Sequence, residues 1–205
     1  MDFSADFNDK VVLITGGSRG VGREIARQFA ANGARVAINY TRNEKAAQDA
    51  LAMLDGEGHM LAQADISDPE AVRTMVDSVQ QRMGGLHILV NNAGIYEDHP
   101  LTDVTYSEWQ VAWQRTLQVN LLGAANCIYC AAQYMLRAGG GRVVNVSSRG
   151  AFRGEPTGPA YGASKAAMNS MGQSLAQALA PHNIFVNTVA PGFIETEMVT
   201  DILNG

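Results

Sequence analysis

The chain of 205 residues is 46% hydrophobic and 17% charged, which suits a single globular unit with a sizeable core. A formal net charge of −5 leaves no basic excess to neutralise phosphates, and this excludes nucleic acid as a general partner. No apolar run reaches membrane-spanning length, and the N-terminus, with Asp2, Asp6 and Asp9, lacks the basic and apolar regions of a signal peptide, so a cytoplasmic protein without membrane contact is expected.

In chain order, apolar runs alternate with helical patterns. Val11 to Ile14 reads as a buried strand, and Gly16 to Gly22 as a glycine-rich turn. A helix follows through Ile25, Ala26, Phe29 and Ala30, spaced for one face, and stops at Asn32-Gly33. Ala34 to Tyr40 is a second strand, Asn43 to Leu54 a helix, and Met60 to Ala64 a third strand. Ser67-Asp68-Pro69-Glu70 is a helix start, with Ser or Asp as the cap and proline at the first helical position. Val72, Met75, Val76, Val79 and Met83 then share a face until Gly84-Gly85. Leu86 to Asn91 is the fourth strand, and one long helix is expected from Ser107 to Leu136. Arg142 to Val146 is a fifth strand. Gly158-Pro159 opens a helix that ends near Pro181, and Ile184 to Val189 is a sixth strand. Strands joined by crossover helices predict a doubly wound, mostly parallel α/β sheet with helices on both faces. No linker interrupts the pattern, so residues 1–205 are expected to form one domain.

Cys127 and Cys130 stand in a C-x-x-C spacing. A zinc site needs further Cys or His ligands nearby, and the four histidines are scattered. Two structural thiols on an apolar helix are expected, with no metal site.

Three features carry chemistry. Thr15-Gly16-Gly17-Ser18-Arg19-Gly20-Val21-Gly22 joins the first strand to the first helix. Glycines there allow close backbone approach to a phosphate, and the helix start offers free N–H groups and a positive dipole end. Ser148 lies just past the fifth strand, thirteen residues before Tyr161. Tyr161 and Lys165, four apart, share a helix face. A cation beside a phenol favours the phenolate and draws its pKa down from roughly 10. Taken alone, that pair also fits a surface pairing on an amphipathic helix.

Together, Thr15–Gly22, Asp65-Ile66, Asn91-Asn92-Ala93-Gly94, Asn120, Ser147-Ser148, Tyr161–Lys165 and Pro191-Gly192 with Thr196 resemble the short-chain dehydrogenase/reductase family, in the group of 3-oxoacyl-acyl-carrier-protein reductases. The resemblance covers nearly the whole chain and implies a Rossmann-like fold and a nicotinamide cofactor. It implies four catalytic residues. Ser148 bonds the substrate carbonyl, Tyr161 transfers the proton, Lys165 holds the nicotinamide ribose and keeps Tyr161 acidic, and Asn120 holds a water within a local kink. It places the cofactor against Gly16, Ser18, Arg19, Gly20, Val21 and Gly22 of the turn. Asp65 and Ile66 would meet the adenine, Asn92, Ala93 and Gly94 the adenosine ribose, and Ile194 and Thr196, after Pro191-Gly192, the carboxamide. Where an NAD user would carry an acid, this chain has Tyr40, Thr41 and Arg42, and Arg19 is a second base, so NADP(H) is the expected cofactor.

Two features depart from the family. The chain ends at Gly205, so a seventh strand and the substrate-covering lid are expected to be missing. Gly139 and His182 stand near places where fatty-acid reductases carry bases for an acidic carrier protein. The expected partners are a small-molecule or acyl-thioester substrate and a second copy of the chain, as a homodimer or homotetramer. The leading reading is an NADPH-dependent ketone reductase, a 3-oxoacyl reductase first. A sugar, polyol or general carbonyl dehydrogenase is the alternative, and a non-catalytic NADP-binding protein is the alternative of another class.

Overall fold

The short apolar runs become six parallel strands in the computed structural model, which describes residues 6–194. They are β1 (Val11–Ile14), β2 (Arg35–Tyr40), β3 (Met60–Gln63), β4 (Ile88–Asn91), β5 (Gly141–Val146) and β6 (Ile184–Val189), in spatial order β3-β2-β1-β4-β5-β6. The helices are α1 (Gly20–Ala31), α2 (Glu44–Ala52), α3 (Pro69–Met83), α4 (Tyr106–Leu117), α5 (Ala124–Arg137), the short α6 (Gly150–Arg153) and α7 (Pro159–Leu179). The expected doubly wound sheet is therefore present, each strand registered in parallel with its neighbour.

Both faces of the sheet are covered, which explains why β1 is apolar at every position rather than alternating. Val11 and Leu13 face the layer of α3, α5 and α7, where they meet Val76, Val79, Ile128 and Met135. Val12 and Ile14 face the opposite layer, with Ala26 and Ala30 of α1 and Ala50 of α2. Among the described residues β3 and β6 form the sheet edges, and β6 leaves Phe185 and Val189 exposed.

Helix starts follow their local chemistry. Asp68 accepts from the N–H groups of Glu70 and Ala71, at 2.9 and 3.3 Å, with Pro69 in the first turn. Thr105 and Glu108 form a reciprocal capping box that opens α4.

The long helix expected over 107–136 is interrupted. Between α4 and α5 the chain takes one stretch of π-helix, Gln118–Gly123, which widens the turn around Asn120. Helical periodicity does not reveal such a wide turn, because one extra residue hardly disturbs the apolar pattern on either side.

Cys127 is buried and Cys130 half-buried on α5, and both are free thiols. Burial pushes the Cys127 thiol up to about 12, so it packs as a small apolar group. Among the described residues no group of three metal-ligating side chains assembles. No described helix is long and apolar enough to cross a membrane.

Leu89 is fully buried at the centre of β4 and is one of the largest side chains without solvent contact. Leu89→Ala should cost about 2–5 kcal/mol of unfolding free energy. Urea unfolding at constant m-value checks this, and a loss under about 1 kcal/mol would contradict the core assignment.

Candidate active site

The order β3-β2-β1-β4-β5-β6 turns the chain in opposite directions on either side of β1, which opens a crevice at the strands' carboxyl ends. Backbone groups lose their ladder partners there, and side chains take over. Thr15 Oγ accepts from the N–H groups of Asn92 and Ala93, each at 3.0 Å. Asn92 Nδ2 donates to the carbonyls of Thr15 and Gly16, both at 3.0 Å. Asn39 Oδ1 accepts from Gly16 N–H at 3.2 Å, and its Nδ2 donates to Ala62 and Ala64 carbonyls at 3.0 and 3.1 Å. Four strand ends are tied together by three side chains.

The glycine turn needs its glycines at defined points. Gly16 has φ +62°, a left-handed backbone. A Cβ on Gly22 would lie 2.4 Å from both Asn92 Nδ2 and the Gly16 carbonyl, so the start of α1 can approach the turn only with glycine there. No side chain caps α1 at Arg19 and no acid lies in its first turn. The helix start is thus left as an anion-binding end.

A cavity of about 750 Å³ runs from this turn along the crevice. Every residue expected at the cofactor, from Gly16 to Ile194, lines it, as do Ser148, Tyr161 and Lys165. Thr196 lies outside the described residues. Asn120 is buried behind the wall rather than on it. Tyr40 is buried at the end of β2, followed by exposed Thr41 and Arg42. Hydrogen bonds from Ser67 hold the Asp65 carboxyl below the usual range, and the charges of Arg42 and Arg115 add to this. The cavity's volume, the open helix start and the bases beside it fit a dinucleotide phosphate.

The reacting end gathers at β5 and α7. Ser147 turns inward and its hydroxyl donates to the Lys165 carbonyl at 3.3 Å, whereas the Ser148 side chain lies beside Tyr161 on the cavity wall. Ser148 Oγ also accepts from Gly150 N–H at 3.1 Å. Lys165 is almost fully buried, and its Nζ donates to the Val146 carbonyl at 2.8 Å.

Lys165 Nζ sits 5.8 Å from the Tyr161 ring centroid and is hydrogen-bonded to a backbone carbonyl. Burial raises the Tyr161 pKa above its usual 10, the nearby Ser148 side chain opposes this, and the charge of Glu155 adds to it. The Asn120 side chain is engaged by protein. Its Oδ1 accepts from Ile95 N–H at 2.8 Å, and its Nδ2 donates to the Ile95 carbonyl at 3.0 Å and Ser164 Oγ at 3.1 Å. Ser164 Oγ in turn donates to the Tyr161 carbonyl at 2.7 Å.

Residue patterns missed Asn39, Tyr96, His99 and Ser164. Tyr96 packs edge-on against Tyr161 with ring centroids 5.1 Å apart. His99 is buried against the start of α7. A signal existed for Asn39, a polar residue inside the apolar run of β2. Nothing local marks Tyr96 or His99, whose partners lie about 60 residues away.

Burial lowers the Lys165 pKa from 10.5 to about 8. Below that pH the folded and unfolded chains both carry the ammonium, and the cost of burying it stands in full. Between about 8 and 10.5 the unfolded chain keeps a proton that the folded chain has released, so stability rises with pH, by about 3 kcal/mol in all. Lys165→Met should lack this rise. Urea unfolding of both chains at pH 7.5 and 10 checks it, and parallel pH profiles would refute it.

Residues 10–204 match the profile of the family described as short chain dehydrogenase. A 3-oxoacyl-acyl-carrier-protein reductase of Staphylococcus aureus is 39% identical over 197 residues, spanning 95% of this chain and 78% of that protein. Galactitol 2-dehydrogenase of Agrobacterium fabrum is 37% identical over 191 residues, 93% of this chain and 72% of that one. A short chain dehydrogenase of Burkholderia cenocepacia, solved in complex with NADP, superposes with a TM-score of 0.87 at 41% identity, covering 95% of this chain and 78% of its own. The chain belongs to the short-chain dehydrogenase/reductase family of NAD(P)-dependent oxidoreductases.

Proposed function

We propose that the protein is an NADPH-dependent reductase that converts a ketone to an alcohol, with Ser148, Tyr161 and Lys165 at the reacting centre and Asn120 positioning them. The observation that carries this reading is that Ser148, Tyr161 and Lys165 line the same cavity as the glycine turn, with the Ser148 side chain close enough to act on the Tyr161 phenol.

The cofactor, when bound, supplies the hydride. The chain's own residues manage the oxygen. As hydride adds to carbon, negative charge builds on the carbonyl oxygen, and two preorganised hydroxyl donors stabilise it. Tyr161 then gives up its proton to that oxygen. A pKa raised by burial keeps the phenol protonated at neutral pH, the state a proton donor needs. Lys165, fixed to the Val146 carbonyl, has two further ammonium hydrogens for the nicotinamide ribose. Gly16 to Gly22 would hold the pyrophosphate at the start of α1, and Arg19 and Arg42 the 2′-phosphate, with Tyr40 and Thr41 beside it. The likeness to a protein solved with NADP supports that choice.

For the substrate we take a 3-oxoacyl thioester first, which the Staphylococcus aureus relative supports. A polyol or sugar ketone is the second reading. The Agrobacterium relative points that way. A cytoplasmic homodimer or homotetramer completes the proposal. Exposed Val111 on α4, Leu122 on the π segment and Tyr129 on α5 support association.

Assays of NADPH oxidation with acetoacetyl thioesters, ketoses and simple ketones test the reading. Tyr161→Phe should lower kcat by about 10³-fold and leave NADPH affinity intact. Retained turnover would overturn the role of Tyr161, and NADPH binding without turnover of any ketone by the wild-type chain would favour a non-catalytic protein. The wild-type chain should show a higher kcat/KM with NADPH than with NADH. Arg42→Ala should lower that ratio about tenfold by removing a charge-assisted contact, and an unchanged ratio would exclude Arg42 from the 2′-phosphate.

A further inference from the structure

Helix α7 carries Tyr161, Ser164 and Lys165, and its first turn has an unusual cap. A helix start leaves N–H groups without intrahelical partners, and a Ser, Thr, Asp or Asn side chain at the preceding position normally takes one of them. Here that position is Gly158, which has no side chain to offer. It cannot easily acquire one, because a Cβ would lie 2.8 Å from the ring of Tyr96, the same ring that packs on Tyr161. Pro159 has no N–H. Tyr161 and Gly162 donate to the Gly158 carbonyl at 2.9 and 3.3 Å. The buried N–H of Ala160 remains, and it donates to His99 Nε2 at 3.2 Å.

His99 is built for that acceptor role. It is 1% exposed. Since Ala160 N–H must donate to Nε2, the proton sits on Nδ1, which donates to the Glu97 carbonyl at 2.7 Å. The ring lies edge-on to Trp109, with centroids 5.5 Å apart. The His99 backbone N–H donates to the Thr157 carbonyl at 2.7 Å, and the Tyr96 hydroxyl bonds Thr157 Oγ at 2.8 Å. The loop after β4 therefore grips the start of α7 at three points.

We propose that His99 is a positioning residue for the reaction, capping from outside the helix that presents Tyr161. It acts through Ala160, the residue before the proton donor, so loss of the acceptor lets the first turn shift and moves the phenol away from Ser148. Displacements of about 1 Å at a reacting group lower turnover by up to about 100-fold. Lys165 is anchored separately to the Val146 carbonyl, so cofactor affinity does not depend on this cap.

The inference rests on Tyr161 being the proton donor, and the test separates the two. His99→Phe keeps a ring against Trp109 but offers no acceptor, and His99→Gln restores an acceptor oxygen. His99→Phe should lower kcat at least about tenfold, with the ketone KM and the NADPH dissociation constant changed less than about threefold. His99→Gln should recover kcat to within about threefold of wild type. Full activity in His99→Phe, or an equal loss in His99→Gln, overturns the inference. A fully active Tyr161→Phe chain overturns the reading beneath it. Should His99→Phe fail to fold, imidazole 15N shifts of the wild-type chain at neutral pH decide. A proton on Nδ1 with a bare Nε2 supports the cap, and an Nε2–H tautomer or an imidazolium refutes it.

Discussion

A carboxamide buried away from water must find its hydrogen bonds within the protein, and Asn120 does so in a way that much of the site depends on. Its side chain accepts from Ile95 N–H and donates to the Ile95 carbonyl, as a neighbouring strand would. Its remaining hydrogen reaches Ser164, and Ser164 reaches the carbonyl of Tyr161. One amide thus ties the loop after β4, the π-helical stretch and the helix bearing the proton donor. Each such bond contributes about 1 kcal/mol net, while leaving the amide unpaired would cost about 1–3 kcal/mol, so the arrangement is held more by the penalty of breaking it than by the gain from making it. The π-helical turn follows from the same constraint, since it carries Asn120 on the face that meets both partners.

The same principle runs along the whole carboxyl edge of the sheet. Strand ends leave backbone donors and acceptors without ladder partners, and a cavity there must not be filled by regular structure. Thr15, Asn39 and Asn92 satisfy those groups with short side chains, which keeps the crevice open for a ligand. The site also holds costs that the core must offset. Lys165 is buried with one backbone partner, and its pKa falls to about 8. Tyr161 is buried beside the charge of Glu155, which favours the protonated phenol. Such groups destabilise the fold and suit the chemistry, and the apolar layers on both faces of β1 and β4 supply the margin.

The order of the strands, the helix starts at Ser67-Asp68-Pro69 and Gly158-Pro159, and the phosphate turn at Gly16 to Gly22 were all legible in the chain. So were the gathering of Ser148, Tyr161 and Lys165 on one cavity and the absence of an acid after β2. These features are local: periodicity, turn chemistry and the ends of strands act over a few residues, and a parallel sheet brings all its carboxyl ends to one edge. The tertiary structure decided the rest. It turned the Ser147 hydroxyl inward to the Lys165 carbonyl and left the Ser148 side chain beside Tyr161 on the cavity. It set Lys165 on the Val146 carbonyl instead of the phenol, and it spent the Asn120 amide on Ile95 and Ser164. It brought His99 to Ala160 across 61 residues. Each of those outcomes is a choice among hydrogen-bond partners distant in sequence, and burial makes the choice, because only the packed chain removes the water that would otherwise serve every donor and acceptor equally well.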